Sequence, residues 1–184
     1  MRKLILQMMT TADGYFEGPN REIDWHIVDE EFNRYAIDNL NNADALIFKR
    51  VTYELMASYW PTPNAASDDP LVAAKMNSLP KFVISKSLKT ATWQNTRLIN
   101  DDYQSEISKL KRQEGKNLLI FGSSDLAVSL LSAGLLDEIA VFISPILLGR
   151  GKPLFQGCDK KIRLNLLSTR VFHSGNVLLI YRPV

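Results

Sequence analysis

The sequence is poor in the residues that staple or ligate. One cysteine, Cys158, in 184 residues leaves nothing for a disulfide framework or a multi-cysteine zinc site, and it points to a reducing, cytoplasmic setting. Two histidines, His26 and His173, exclude a His-rich metal site, and each by itself reads as a structural or surface residue. The longest apolar stretches, 126–136 and 139–148, are interrupted by Ser or Pro and fall short of the roughly 20 residues that cross a bilayer. This reading excludes a membrane protein. The two basic residues at the N-terminus precede an apolar run broken by Gln7, which continues into Thr10-Thr11-Ala12-Asp13-Gly14, so no signal peptide is expected. Eight prolines and nine glycines are too few for a fibrous or disordered chain.

Common catalytic signatures are missing too. There is no G-x-G-x-x-G, H-E-x-x-H or G-x-S-x-G. Gly149-Arg150-Gly151-Lys152 resembles the end of a phosphate-binding loop, but Pro153 stands where Ser or Thr belongs and Ile146 where the first Gly belongs. No lysine- and arginine-rich run is interleaved with aromatics, which argues against nucleic-acid binding.

What remains is the composition of a globular α/β protein, 46% apolar and 23% charged, long enough to bury a core unaided. The net charge of +2 hides an asymmetry: residues 1–80 carry 7 Lys+Arg against 12 Asp+Glu, and residues 81–184 carry 15 against 8. A positive C-terminal part suits an anionic ligand such as a phosphorylated cofactor.

Apolar runs predict strands at 3–9, 45–48, 81–85, 97–99, 118–121 and 138–144. Helical spacing predicts helices from an Asp29 cap to Asn42, over 52–59, 71–77 and 103–112, and from about Leu126 to a stop at Gly134. Residues 13–20, 61–69 and 145–155 read as loops, and 164–172 with 177–182 as a β-hairpin turning at Ser174-Gly175-Asn176. Strands alternating with helices, then a closing hairpin, predict one α/β domain over residues 1–184, with a mixed, mostly parallel sheet.

Three predicted strand ends carry groups suited to phosphate. Phe121-Gly122-Ser123-Ser124 turns from a strand into a helix, where free N–H groups and the positive dipole end favour an anion. The plainer reading is an ordinary βα turn. Lys49-Arg50-Val51-Thr52 offers a guanidinium and a hydroxyl at another helix start, or a solvated charge. Ser85-Lys86-Ser87 offers hydroxyls and an ammonium, or a loop. Parallel strands bring such ends to one sheet edge, where α/β proteins bind ligands. Asp13-Gly14 and Asp24-Trp25 form a fourth candidate, a carboxylate and an indole able to hold a pyrimidine or pterin, or else a turn and an anchoring Trp.

These residues resemble the dihydrofolate-reductase-like superfamily, in the branch similar to the C-terminal reductase domain of bacterial riboflavin biosynthesis. The likeness rests on Thr11-Ala12-Asp13-Gly14-Tyr15-Phe16, Gly18-Pro19-Asn20 with Asp24-Trp25, Arg50-x-Thr52-Tyr53-Glu54 and Val83-x-Ser85-x-Ser87. It continues through Phe121-Gly122-Ser123 and Pro145-Ile146-Leu147-Leu148-Gly149-x-Gly151-Lys152-Pro153, in family order from about residue 3 to 182. The resemblance implies a three-layer domain with about eight strands, an NADPH-dependent reduction of a small heterocyclic or carbonyl substrate, and a homodimer. It places the cofactor on Arg50, Val51, Thr52, Ser85, Ser87, Gly122, Ser123, Ser124 and Leu126, the substrate near Gly14 and Trp25, and catalysis at Asp13. Its nearest analogy is the 5-amino-6-(5-phosphoribosylamino)uracil reductase step.

Lys49 departs from the pattern, standing where related reductases usually have Gly; its side chain either narrows the cofactor channel or adds charge to it. Thr11-Ala12 replaces the commoner Ser-Leu. The competing readings are a non-catalytic ligand-binding or dimeric structural protein of the same fold, and a dihydrofolate or pterin reductase. The 29–42 helix does not show the acidic residue in an apolar setting that dihydrofolate reduction requires. The 143–148 segment and the terminal hairpin are candidate dimer surfaces.

Overall fold

The N-terminal apolar run forms β1 (Leu4–Thr11), followed by the short β2 (Tyr15–Glu17) and α1 (Glu30–Asn41). Next come β3 (Ala43–Lys49), α2 (Arg50–Tyr59), α3 (Pro63–Asp68), α4 (Pro70–Ser78), β4 (Lys81–Ile84) and β5 (Thr96–Ile99). The chain continues through α5 (Tyr103–Arg112), β6 (Asn117–Phe121), α6 (Ser124–Ser132) and β7 (Glu138–Ser144). It closes with β8 (Lys152–Pro153), β9 (Leu164–Val171) and β10 (Val177–Pro183). The computed structural model describes all 184 residues.

Eight strands form one sheet in the order β5-β4-β3-β6-β1-β7-β10-β9. Pairings from β5 through β7 are parallel, whereas β10 pairs antiparallel with both β7 and β9. The predicted mixed sheet and C-terminal hairpin are therefore present. Three loop expectations need correction. The 61–69 stretch holds α3, because Thr62 caps it and Pro63 occupies its first turn. The 13–20 and 145–155 segments hold β2 and β8, which pair in a separate two-stranded sheet; strands of three and two residues leave no readable alternation.

Successive side chains of the central strands point to opposite faces, and both faces are covered. Leu4, Leu6, Ile47, Leu118 and Ile120 pack with Ile107, Leu110, Leu126 and Leu130 of α5 and α6. Ile5, Leu46, Phe48 and Leu119 pack on the other side with Leu40, Tyr53, Val72 and Met76 of α1, α2 and α4. This gives the three layers. Each fully buried Leu or Ile contributes roughly 2 kcal/mol.

Two polar ties complete the frame. Lys81 is fully buried, and its Nζ donates to the carbonyls of Asn77, Leu79 and Gln94 at 3.0, 2.7 and 3.2 Å, under the negative end of α4. Burial lowers its pKa to about 8. Glu31 of α1 accepts from Arg170 Nη2 and from the His173 backbone N–H, both at 2.9 Å, and so fastens α1 to the terminal hairpin.

Candidate functional site

The carboxyl ends of β3, β6 and β1 lie side by side in the sheet, and two of them run straight into helices, β3 into α2 and β6 into α6. Side chains cap the other four helices: Asp29, Thr62, Asp69 and Asp102 accept N–H groups of α1, α3, α4 and α5. Lys49 and Ser123, at the cap positions of α2 and α6, make no side-chain cap hydrogen bond. The first-turn N–H groups of these two helices thus remain free for an anion.

The β6–α6 turn is unusual. Gly122 and Ser123 both adopt left-handed backbone, with φ of 69° and 66°. Gly permits this freely, whereas Ser stores strain there, as functional loops often do. The next residue, Ser124, is buried with its Oγ lacking any partner.

In front of these turns is a cleft with two chambers. The polar one, about 490 Å³, is lined by Lys49, Thr52, Ser123, Ser124 and Asp125 on one side and by Arg21, Lys152 and Gln156 on the other. The apolar one, about 320 Å³, lies between α1 and α2 and is lined by Met8, Met9, Phe32, Ala36, Leu55, Met56, Trp60 and Phe121, with Gln7, His26 and Asn33 as polar members. Phe16, Glu17, Val51, Thr52 and Ser123 line both, so the chambers are continuous. At Gly151 a Cβ would collide with the Glu17 carbonyl oxygen, and this close approach seats β2 against the 151–153 segment.

Of the residues singled out in the sequence, Val51, Thr52, Gly122, Ser123 and Ser124 meet at this cleft. The other cofactor, substrate and catalytic candidates, Arg50, Ser85, Ser87, Leu126, Asp13, Gly14 and Trp25, line neither chamber. The Arg50 guanidinium pairs with Glu54 at 2.9 Å one turn along α2 and lines neither chamber; Lys49 takes the facing position. Ser85 accepts from the backbone N–H groups of Ser87 and Leu88 at 3.2 and 2.9 Å, a turn-forming role, and neither Ser85 nor Ser87 reaches the cleft. Leu126 is fully buried in the core.

Asp13 is occupied by its own neighbourhood. It accepts from Thr11 Oγ1, from the Leu148 N–H at 3.2 Å and from the Gly149 N–H at 2.7 Å. Its carboxyl is held below the usual range, first by the Thr11 hydroxyl and then by those amides. Gly14 closes the turn after β1, its N–H donating to the Thr11 carbonyl at 3.0 Å. Trp25 is buried edge-on to His26, ring centres 4.4 Å apart, with its Nε1 unpartnered. The His26 Nε2 is likewise buried and unpartnered, and burial pushes the imidazole down to about 4.

The apolar stripe Phe32, Ala36 and Leu40 of α1 walls the apolar chamber. Its helical spacing was visible, whereas the space opposite it is a property of the packing. Arg21 carried no local signal, because it reaches the cleft from a distant segment, whereas Lys152 stood in the run that resembles the end of a phosphate-binding loop.

A mostly parallel open sheet with a cleft at its carboxyl edge, floored by two helix starts without side-chain caps, defines an α/β protein with its candidate ligand site there. More narrowly, the chain belongs to the RibD C-terminal domain family, whose profile matches residues 2–178. It is 33% identical over 180 residues to the uncharacterized protein YyaP of Bacillus subtilis (strain 168), covering 98% of this chain and 94% of YyaP. Among solved structures it resembles a candidate riboflavin biosynthesis protein of Shewanella sp. PV-4, with TM-score 0.75, 23% identity and 99% of each chain covered. A dihydrofolate reductase from Enterococcus faecalis complexed with NADP(H) superimposes with TM-score 0.65 at 15% identity, covering 98% of this chain and 96% of the enzyme. No helix is long and apolar enough to cross a membrane.

Proposed function

We propose that this protein is an NADPH-dependent reductase acting on a small heterocyclic or carbonyl substrate, with the uracil-reductase step of riboflavin synthesis as its nearest chemical analogy. The observation that carries the reading is the pair of uncapped helix N-termini, α2 and α6, beside one cleft with cations on its walls. The orphaned Ser124 hydroxyl in the same wall suits a phosphate oxygen. The Enterococcus enzyme of the same fold, complexed with NADP(H), supports the cofactor class.

The first-turn N–H groups of α2 and α6, with Ser124, would hold the phosphates, and Lys49, Arg21 and Lys152 would balance their charge. Lys49 therefore adds charge to a channel that stays open around it. When bound, NADPH supplies a hydride. Thr52 and Ser123, shared by both chambers, set the distance between the two ligands, and the apolar walls exclude water. Glu17 is the carboxylate lining both chambers and is the group placed to pass a proton through a bound water. Asp13 acts as a positioning residue that pins residues 148–149 to the end of β1. A second copy of the chain would pair at the outer sheet edge, β9, where Leu166 and Val171 are exposed.

The deciding experiment is titration with NADPH and NADH, followed by intrinsic tryptophan fluorescence and confirmed by calorimetry. Saturable binding with NADPH favoured supports the reading. No binding of either nucleotide defeats it and leaves a non-catalytic protein of the same fold.

A further inference from the structure

We infer that the apolar chamber takes an uncharged ring substrate without a phosphate group. The inference deepens the reductase reading, on which it rests for the occupant of the neighbouring chamber, and it departs from a sugar-phosphate substrate. Its ground is the separation of charge within the cleft. Arg21, Lys49 and Lys152 all line the polar chamber, whereas no lysine or arginine lines the apolar one.

The only acidic residue lining the apolar chamber is Glu17, at the junction. A phosphate buried there would lose its hydration, gain no cation and face a carboxylate, which is costly. If the cationic chamber is filled by the cofactor, no second anion site remains for the substrate. A flat apolar ring, by contrast, meets Met8, Phe32, Met56, Trp60 and Phe121 on its faces.

The polar groups on the wall suit a neutral ligand. Asn39 Nδ2 donates to Gln7 Oε1 at 2.6 Å, which leaves the Gln7 N–H donors for a carbonyl. The His26 Nε2 is buried without a partner, and its depressed basicity keeps the ring neutral at pH 7. The cleft thus offers hydrogen bonds without fixed positive charge, a pattern matched to a ketone, enone or ring imine. About 320 Å³ accommodates a one- or two-ring molecule.

The test uses two probes at pH 7.5, each with and without NADP⁺ present: 1-tetralone, an uncharged bicyclic ketone, and uridine monophosphate, a phosphorylated pyrimidine. Calorimetry should show one-to-one binding of 1-tetralone, at least about tenfold tighter than the nucleotide. Leu55→Arg, at a half-exposed rim position that tolerates charge, should weaken 1-tetralone by about fivefold or more. Ala36→Phe, which fills the chamber from α1, should abolish its binding. Equal or tighter binding of the nucleotide, indifference of 1-tetralone to both variants, or no binding of either probe would overturn the inference. NADPH titration of the same samples separates the two readings. Loss of NADPH binding with 1-tetralone retained defeats the reductase reading alone, and the reverse defeats this inference alone.

Discussion

Thr52 fills the space that Gly122 leaves open: a Cβ at Gly122 would stand 3.1 Å from both Oγ1 and Cγ2 of Thr52. The two strand ends that floor the cleft are therefore fitted to each other. Gly122→Ala presses on Thr52 and adds about 1 kcal/mol of left-handed backbone strain. The expected outcome is a lower melting temperature and NADPH binding weakened by about tenfold. Thr52→Ala in the same background should relieve the steric part. If NADPH binds Gly122→Ala as well as the parent, the turn does not shape the cofactor site.

Lys49 and Arg50 are adjacent but face different surroundings, one the cleft and the other Glu54. Lys49→Ala should weaken NADPH by about tenfold, the scale of one lost charged hydrogen bond, and Arg50→Ala by less than about twofold. A larger loss for Arg50→Ala would reverse this assignment.

Asp13→Asn should leave NADPH affinity within about twofold while speeding amide exchange at Leu148 and Gly149 and lowering turnover. The isosteric amide keeps the shape but loses the charge those N–H groups meet. Collapse of cofactor affinity would show that the loop it pins belongs to the cofactor site.

Glu31 supplies a pH dependence. Its carboxyl is pushed down to about 2, chiefly by the His173 backbone N–H and then by Arg170 and His173. A depressed carboxylate stabilises the fold fully above its ordinary value of 4.5, and the stabilisation fades as pH falls through that range towards 2. Melting curves of the parent and Glu31→Gln should differ at pH 6 and converge near pH 2. A constant gap would mean that the tie from α1 to the hairpin is not electrostatic.

The β9 edge carries exposed Leu166 and Val171 along a strand with one open side. Light scattering should give the mass of a dimer, and Val171→Lys should shift it towards the monomer. A parent protein already of monomer mass would remove the second copy from this edge.

Much of the fold was legible because its signals are local. Asp29 caps α1 as expected, its Oδ1 accepting the Phe32 N–H at 2.8 Å, and 103–112 and 138–144 form a helix and a strand over those same residues. Four-residue apolar runs marked the central strands because both sheet faces are buried. Less of the site was legible. Sequence placed three phosphate-suited turns at strand ends, but only packing decides which side chain faces the cleft: Lys49 lines it, whereas Arg50 pairs with Glu54. Ser85 carries the residue type of a ligand contact, yet it spends its hydroxyl on its own loop. Lys81 gave no sign of burial, since its carbonyl partners come from α4 and a loop beyond it.

The short β2–β8 ribbon joins the main sheet to neither edge, yet two of its residues, Phe16 and Glu17, border both chambers. A change in this ribbon on binding in one chamber would alter affinity in the other, and by the same factor in either order of addition. A two-ligand titration square would read that factor directly.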